Sequence, residues 1–204
     1  MVICQCKIWL DGLLISNYKL INKMLLNYRK LIINDAEKIR IWRNNQIKIL
    51  RQNKKIKKNE QIKYFKKNIF TKNLKLDLFA IELNKKLIGY GGLVNISKSF
   101  KTAEVSFLID SKLSHNSKLY ENIFVHFLDY MKKYSFRDKK LRRLYTETFS
   151  FRKKHIKILE KCGFKLEGTL RNHVIKNKKL YNSLMHGILN KKFYNSLMHG
   201  ILNK

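Results

Sequence analysis

The stretch TETFSFRKKHIKILEKCGFKLEGTLRNHVI, residues 146–175, decides the fold. β-Branched and aromatic side chains alternate from Leu144 to Phe149, and this alternation predicts a strand. Ser150 is placed to cap a helix, because its side chain can accept hydrogen bonds from the free N–H groups of the first turn. Gly163 stands where a left-handed helix end is expected, and Phe164 begins a second extended run. The pattern therefore predicts a strand–helix–strand unit.

Residues 158–189, which overlap this unit, resemble the carboxyl-terminal half of GNAT-superfamily N-acetyltransferases. Three segments continue the resemblance upstream: IRIWRNN (39–45), LIGYGGLVNI (87–96) and AEVSFLID (103–110). Together they are similar to the branch that contains ribosomal-protein N-terminal acetyltransferases and amino-sugar N-acetyltransferases of the pseudaminic-acid type. The resemblance covers about residues 27–189. It implies an α/β (α+β) GNAT fold: a mixed, mostly antiparallel sheet of about seven strands, with splayed central strands and helices on both faces.

The resemblance divides the chain into three parts. Residues 1–24 precede it as an N-terminal extension, and residues 25–191 are expected to form the acetyltransferase domain. The segment KLYNSLMHGILNK at 179–191 is repeated as KFYNSLMHGILNK at 192–204. One copy suffices for the last strand of the family. We expect the first copy to lie in the sheet and the second to be a surplus tail, although their near-identity lets them compete for one position.

The chain is strongly basic, with 45 lysines and arginines against 14 aspartates and glutamates and a formal net charge of +31. Such a charge is typical of proteins that bind nucleic acid, a membrane surface or a phosphorylated ligand. The abundance of Lys, Asn, Ile, Phe and Tyr, with no proline, is also what codon drift in an AT-rich genome produces. We favour drift over selected nucleic-acid binding. The charge still disfavours polyamines as substrates and suits coenzyme A or nucleotide-sugars.

Cysteine usage and hydropathy bear on the compartment. Cys4, Cys6 and Cys162 are odd in number and badly spaced for disulfides, which indicates a reducing environment. No second ligand pair accompanies Cys4 and Cys6, so no metal site is predicted. No apolar run reaches the roughly 18 residues of a membrane span, and Asp11 interrupts the short apolar stretch that a signal peptide would need. We therefore expect a cytoplasmic monomer or homodimer.

The resemblance implies transfer of the acetyl group of acetyl-CoA, a co-substrate, to a primary amine. A base must deprotonate the incoming ammonium, because only the neutral amine attacks a thioester. Glu104, on the strand that lies beside the splay in this family, is the first candidate, and Glu147 on the adjacent strand is the second. The alternative for Glu104 is a carboxylate that only pairs with a lysine. Leu159 stands where many members carry a tyrosine that protonates the leaving thiolate, and His155, expected to titrate near neutrality, is the candidate substitute or a surface residue.

The resemblance also implies where the coenzyme binds. The family's pyrophosphate loop carries Arg or Gln followed by Gly-x-Gly, whose N–H groups close on phosphate at a helix N-terminus. This chain has no glycine there, so side chains such as Lys118 replace those contacts or coenzyme binding has been lost. The candidate coenzyme contacts are the strand residues Phe107, Leu108 and Ile109, the loop residues His115, Asn116, Lys118 and Tyr120, and Arg152, which replaces the family's helix-opening asparagine.

The acceptor site is implied at the end of the first helix and across the sheet. The sequence Trp42-Arg43-Asn44 resembles the Trp-Arg-Asn that the sugar-modifying branch carries there. For Trp42 we favour an anchor between helix and sheet, whereas for Arg43 an anion contact is equally well supported. Arg171 and His173 either shape the acceptor pocket or lie on the surface. The candidate acceptor contacts are Trp42, Arg43, Asn44, Tyr90, Arg171 and His173.

The leading hypothesis from the sequence is an acetyl-CoA-dependent N-acetyltransferase whose acceptor is a nucleotide-linked amino-sugar of surface-glycan biosynthesis. The Trp-Arg-Asn segment and the positive charge favour that acceptor. The amino terminus of a peptide or ribosomal protein is the second acceptor. A non-catalytic GNAT-like binding module, associated with RNA through its basic surface, is the alternative that the glycine-free loop favours.

Overall fold

The computed structural model of the chain describes residues 25–71 and 73–193. The predicted N-terminal extension, residues 1–24, and residues 194–204 of the second repeat copy lie outside the described residues. The strands are β1 (Leu26–Lys30), β2 (Asp77–Leu83), β3 (Lys86–Ser97), β4 (Thr102–Ile109), β5 (Arg143–Phe149), β6 (Lys165–Lys176) and β7 (Lys179–Leu189). They form one seven-stranded sheet in the order β1-β2-β3-β4-β5-β7-β6. All neighbouring pairs are antiparallel except β4 and β5.

Helices cover both faces of this sheet, as the resemblance implied. The helices are α1 (Asp35–Asn45), α2 (Lys58–Tyr64), α3 (Ser111–Ser114), α4 (Ser117–Lys133) and α5 (Lys153–Lys161). One core cluster contains Phe124 of α4 and Leu159 of α5, together with Val105 of β4. The other contains Trp42 of α1 and Leu108 of β4. Successive residues of β4 therefore face opposite helical layers.

The central feature of the sheet is the separation of β4 from β5. These two parallel strands pair only from Thr102↔Arg143 to Glu104↔Tyr145, although β4 continues to Ile109. On their other edges, β4 stays paired with β3 as far as Ile109, and β5 stays paired with β7 over its whole length. Both strands are therefore held in place while they diverge. The predicted splay is confirmed.

The strand–helix–strand unit forms as predicted, apart from the start of its helix. Helix α5 begins at Lys153, with Arg152 as its N-cap residue and no side-chain cap, so the predicted Ser150 cap is wrong. The Ser150 N–H instead donates to the Asn182 carbonyl, which holds residue 150 against β7. Gly163 ends the helix with φ +90°, in the left-handed region that glycine adopts without strain. The first repeat copy forms β7 between β5 and β6, which confirms its predicted place in the sheet.

Candidate active site

Three cavities lie along β4 where it leaves β5. The outer cavity, about 470 Å³, is lined by Ile109, Tyr120 and Arg152 among others. The central cavity, about 80 Å³, is lined by Glu104 and Glu147, and it shares Arg152 with the outer cavity. The lateral cavity, about 330 Å³, lies on the α1 side of the sheet and shares only a β4 residue, Ser106, with the central cavity. The candidate site therefore consists of three cavities, of which the central one shares lining residues with each of the other two.

Glu104 is the last residue of β4 that pairs with β5, at the point where these two strands part. Its side chain is buried, at 5% exposure. Oε2 accepts a hydrogen bond of 2.7 Å from Asn95 Nδ2, and Oε1 accepts one from the guanidinium of Arg51. The structure thus places this candidate base beside the gap, and a cation, as the alternative interpretation expected, pairs with it. That cation is an arginine from a distant loop.

Glu147 projects from β5 into the same central cavity and is 11% exposed. Its Oε2 lies 3.3 Å from Nη1 of Arg51, so one guanidinium bridges both carboxylates. Its Oε1 lies 3.3 Å from Nδ1 of His173 but accepts no hydrogen bond from the described residues. His173 also makes a 3.0 Å contact with the Ser183 hydroxyl. The structure therefore brings two predicted residues, Glu147 and His173, to one place with an arginine that the sequence did not single out.

The loop that carries Arg51 follows α1 and is held before that residue by a hydrogen bond from Leu50 N to the Ile47 carbonyl, and after it by contacts of Gln52 and Ile56. Asn44 Oδ1 accepts hydrogen bonds from Ile56 N at 2.8 Å and from Gln52 Nε2 at 3.0 Å. The Gln52 carbonyl accepts a further hydrogen bond of 3.0 Å from Lys176 Nζ of β6. Asn44, a candidate acceptor contact, therefore positions the loop, and its predicted contact with the acceptor is not seen in the cavity lining.

His155 lies at the boundary of the outer and central cavities and is buried, at 7% exposure. Its ring stacks on Phe124 of α4 at a centroid distance of 4.2 Å, and its Nδ1 lies 2.7 Å from the Tyr120 hydroxyl. Burial, followed by the positive charge of Arg152, lowers the pKa of His155 well below its usual value. The expectations of a polar helix face and of a pKa near neutrality are therefore wrong. The helix face that carries His155 packs on α4, so the imidazole is uncharged at neutral pH.

Arg152 lines both the outer and the central cavity. Its Nη2 lies 3.4 Å from the Tyr120 hydroxyl and 3.3 Å from His155 Nδ1. Burial lowers the pKa of the Arg152 guanidinium, while Tyr120 acts in the opposite direction. None of the described carboxylates neutralises it. A half-buried cation without a counter-ion, beside Lys153 of the same cavity lining, favours an anionic ligand.

The predicted pyrophosphate loop is mostly helical. Asn116 caps α4, because its Oδ1 accepts a hydrogen bond of 3.0 Å from Leu119 N. His115 and Lys118 are exposed, and neither they nor Asn116 line the outer cavity. Ser117 and Tyr120 of the first turn of α4 line it instead. Residues 115, 116 and 118 thus lie outside the lining of the outer cavity, while the first N–H groups of α4 lie at it, and the predicted coenzyme contacts of these three side chains stay predictions.

The four other predicted acceptor residues, besides Asn44 and His173, lie in three different places. Trp42 is 6% exposed within the core cluster of α1, so its role as an anchor, which we favoured, agrees with the structure. Arg43 and Tyr90 line the lateral cavity, where Arg43 Nη1 donates a hydrogen bond of 2.6 Å to the Tyr90 hydroxyl. Arg171 is exposed on β6 and lines none of the three cavities.

The outer, central and lateral cavities together offer a defined set of chemical groups. The central cavity holds two nearly buried carboxylates that can accept a proton or bind a cation. Residues 105–109 of β4 have no partner on β5, so the peptide N–H groups that face the gap are free to bind a ligand, whereas the Ile109 carbonyl already accepts a hydrogen bond of 2.8 Å from Gln46 Nε2. The outer cavity adds positive charge and a helix N-terminus. The described residues contain no group of three or more His, Cys, Asp or Glu side chains arranged to hold a metal.

Comparisons with known proteins agree with this architecture. Residues 29–185 match the profile of the acetyltransferase (GNAT) domain family. A crystal structure of spermidine N-acetyltransferase from Vibrio cholerae, in complex with CoA and spermine, is similar with a TM-score of 0.72 and 23% identity, covering 83% of this chain and 98% of the other. Mutant forms of the spermidine/spermine N-acetyltransferase SpeG from the same organism give a TM-score of 0.71 and 23% identity, covering 84% and 97%.

No curated protein sequence matches the chain significantly. At 23% identity, the likeness to the solved structures speaks for the shared fold. No helix within residues 25–71 and 73–193 has both the length and the apolar composition needed to cross a bilayer.

Proposed function

The chain belongs to the acetyltransferase (GNAT) domain family, whose enzymes transfer the acetyl group of acetyl-CoA to an amine, and we propose that its acceptor is an amino-sugar that carries phosphate. The lateral cavity is the observation that supports this acceptor. It shares Ser106 with the central cavity, which Glu104 lines. Its lining includes Arg43 and Lys54. Its one lining carboxylate, Glu60, already accepts a hydrogen bond of 2.8 Å from Lys57 N.

The outer cavity has the properties that acetyl-CoA requires. The Arg152 guanidinium and the free N–H groups at the start of α4 are suited to its phosphates. Phe107 and Ile109 provide apolar contacts for the pantetheine arm. When bound, acetyl-CoA supplies the reactive thioester. The gap between β4 and β5 is the route from the outer to the central cavity, because Phe107 and Arg152 line both.

Glu104 is the residue that we assign as the base. The acceptor amine enters as an ammonium ion, and one of its protons passes to the Glu104 carboxylate, directly or through water. The neutral nitrogen then forms a bond to the acetyl carbon. Asn95 holds Oε2 of Glu104 at 2.7 Å, which fixes the orientation of the carboxylate toward the gap. Glu147 shares the cavity and is the second cation-binding group.

Two further charges develop during the reaction, one on the carbonyl oxygen of the acetyl group and one on the leaving sulfur. The unpaired peptide N–H groups of residues 105–109 are the donors available to the tetrahedral oxyanion. The C–S bond then breaks, the sulfur leaves with the electron pair as a thiolate near the positive charge of Arg152, and the nitrogen gives its second proton to that thiolate or to water. His155 is neutral and is hydrogen-bonded to Tyr120, so its role in this proposal is to position that tyrosine. Acetyl-CoA chemistry and the unpaired thiol of Cys162 support a cytoplasmic location.

A polyamine is the second acceptor class, because both similar crystal structures are of spermidine N-acetyltransferases. The charges of the lateral cavity argue against it here. A polyamine has several ammonium groups, and those distant from Glu104 would meet Arg43 and Lys54. The amino terminus of a peptide carries one ammonium group and is the third class.

The test has a binding arm and an acceptor arm. Calorimetry with acetyl-CoA should show saturable binding, and its absence would end the enzyme assignment. Turnover is then compared for a nucleotide-linked amino-sugar, the free amino-sugar, spermidine and a short peptide. We expect kcat/KM for the phosphate-bearing sugar to exceed that for the free sugar by about ten-fold or more. Spermidine turnover equal to or above that of the nucleotide-sugar would overturn the proposed acceptor.

A further inference from the structure

Arg51 differs from the carboxylates that it bridges in its access to solvent. The Arg51 side chain is 57% exposed, whereas those of Glu104 and Glu147 are 5% and 11% exposed. A guanidinium that is mostly in water gains little from such a pair, because solvent screens the attraction and the long side chain loses rotamer freedom. The carboxylates, in contrast, lie where an unpaired charge is costly. Glu104 and Glu147 therefore need a positive charge beside them, and a cation other than the Arg51 guanidinium can supply it.

The two carboxylates retain the capacity to bind an ammonium group. Glu147 Oε1 accepts no hydrogen bond from the described residues, although it is buried. The oxygens that Arg51 contacts, Oε1 of Glu104 and Oε2 of Glu147, would be freed if its side chain moved. An ammonium group has three donors and a compact charge, which matches three oxygens in a cavity of about 80 Å³.

We propose that Glu104 and Glu147 form the binding subsite for the acceptor's ammonium group, and that Arg51 occupies it until an acceptor displaces the guanidinium. This inference rests on the proposed acetyl transfer. An arginine cannot accept a proton at neutral pH. Turnover therefore requires the guanidinium to leave Glu104, so that the base faces the ammonium instead.

The surrounding contacts permit this exchange. After Arg51, the Gln52 side chain and the Ile56 N–H both donate to Asn44 Oδ1. Before it, the Leu50 N–H donates to the Ile47 carbonyl, so the loop stays in place while the Arg51 side chain rotates. The displaced guanidinium is already more than half in water and needs no new partner. The bridge therefore opens by a side-chain movement alone.

Arg51 therefore makes the site selective among acceptor amines. A small amine must displace Arg51 with the affinity of its ammonium alone, whereas an acceptor that also binds the lateral cavity has further contacts to offset that cost. Arg51 is thus a specificity-determining residue that excludes simple alkylamines. Removing it should improve the binding of every small amine, irrespective of the rest of the molecule.

The decisive experiment titrates ethylammonium and ethylguanidinium into the isotope-labelled chain without acetyl-CoA and follows amide shifts by NMR. We expect saturable binding to Arg51→Ala and Arg51→Gln, with affinity about ten-fold or more above that of the unmodified chain. Adding Glu147→Gln to Arg51→Ala should abolish the gain. Arg137→Ala is the matched control, because Arg137 is 79% exposed and pairs only with the adjacent Asp138 among described carboxylates.

A kinetic arm uses ethylamine as the acceptor. Arg51→Ala should lower its KM by about ten-fold, and ethylguanidinium should inhibit this variant in competition with the amine. Equal or weaker probe binding by folded Arg51→Ala and Arg51→Gln would overturn the inference, and so would a raised KM for ethylamine. Because probe binding needs no acetyl-CoA, this failure is distinct from loss of acetyltransferase function, which calorimetry with acetyl-CoA reports separately.

Discussion

The Tyr120 hydroxyl lies 2.7 Å from Nδ1 of His155, and this contact joins α4 to α5 across the open end of the gap. Each helix follows one of the diverging strands, α4 after β4 and α5 after β5. The strands themselves pair no further than Glu104. By holding α4 and α5 together, this contact helps to fix the distance between the two strands at the gap.

The protonation state of His155 should be measurable as pH-dependent stability. Its pKa in the folded chain is lowered, first by burial and then by Arg152, whereas the unfolded value is about 6.5. Below that pH the unfolded chain binds a proton that the folded chain does not bind. The contribution of His155 to stability is therefore full above pH 6.5 and falls by about 1.4 kcal/mol per pH unit below it.

We expect His155→Gln to lose less unfolding free energy than the unmodified chain between about pH 7 and pH 5. Urea denaturation at several pH values measures this difference. His115→Gln, at an exposed position, is the control and should retain the original slope. An unchanged slope in His155→Gln would mean that the imidazole is not buried in its neutral form.

Replacing Glu104 by glutamine should stop proton removal while leaving the shape of the central cavity nearly intact. We expect kcat to fall by about 100-fold or more, the usual contribution of a general base, and the Kd for acetyl-CoA to stay the same. Steady-state kinetics and calorimetry measure the two quantities. Glu121→Gln, which removes only a surface ion pair with Lys161, should leave both unchanged. Full turnover by Glu104→Gln would remove this residue from the mechanism.

The elements that local sequence pattern encodes were predictable. Alternation from Leu144 to Phe149 predicted β5, and Gly163 marked the end of α5, because both depend on neighbouring residues alone. The identity of the cation at Glu104 was not predictable. Arg51 lies in a loop without periodicity, and it is 53 residues from Glu104 and 96 from Glu147. Only the folded sheet brings the three together.

The error at His155 has a related cause. Ile156, Ile158 and Leu159 are buried on α5, and His155, four residues before Leu159, lies on the same face. The spacing is compatible with burial of the imidazole, but the group that covers it, the Phe124 ring of α4, is brought there only by the fold. A similar limit applies to Ser150, whose N–H is used by β7 and whose side chain is therefore displaced from the start of α5.

Arg152 should affect ligand binding and stability in opposite directions. Its guanidinium has no counter-ion among the described residues, so Arg152→Met removes a desolvated charge from the free protein. We expect the unfolding free energy of the free chain to rise by about 1 kcal/mol. The affinity for acetyl-CoA should fall by about ten-fold or more, because the phosphates lose a charged donor.

Thermal unfolding and calorimetry together test this prediction. Lys157→Met, an exposed cation of the same helix that does not line the outer cavity, is the matched control and should change neither quantity greatly. A variant of Arg152 that is both less stable and unaltered in acetyl-CoA affinity would show that the guanidinium serves the fold alone.

Gly91 is one of the glycines of β3, with Gly89 and Gly92, at which the sheet has no room for a side chain. A Cβ there would lie 2.5 Å from the Ser106 carbonyl oxygen of β4 and 2.8 Å from Phe127 of α4, both fixed in the core. Gly91→Ala must therefore push β4 away from β3, and we expect it to cost about 1–3 kcal/mol of unfolding free energy. Because Glu104 is on the displaced strand, kcat should fall as well.

At Gly168 of β6 an added Cβ meets no atom within 4 Å, so Gly168→Ala should change stability by less than about 0.5 kcal/mol. Urea denaturation of the two variants compares the sites directly, and equal losses would show that the close approach of β3 to β4 is not rigid.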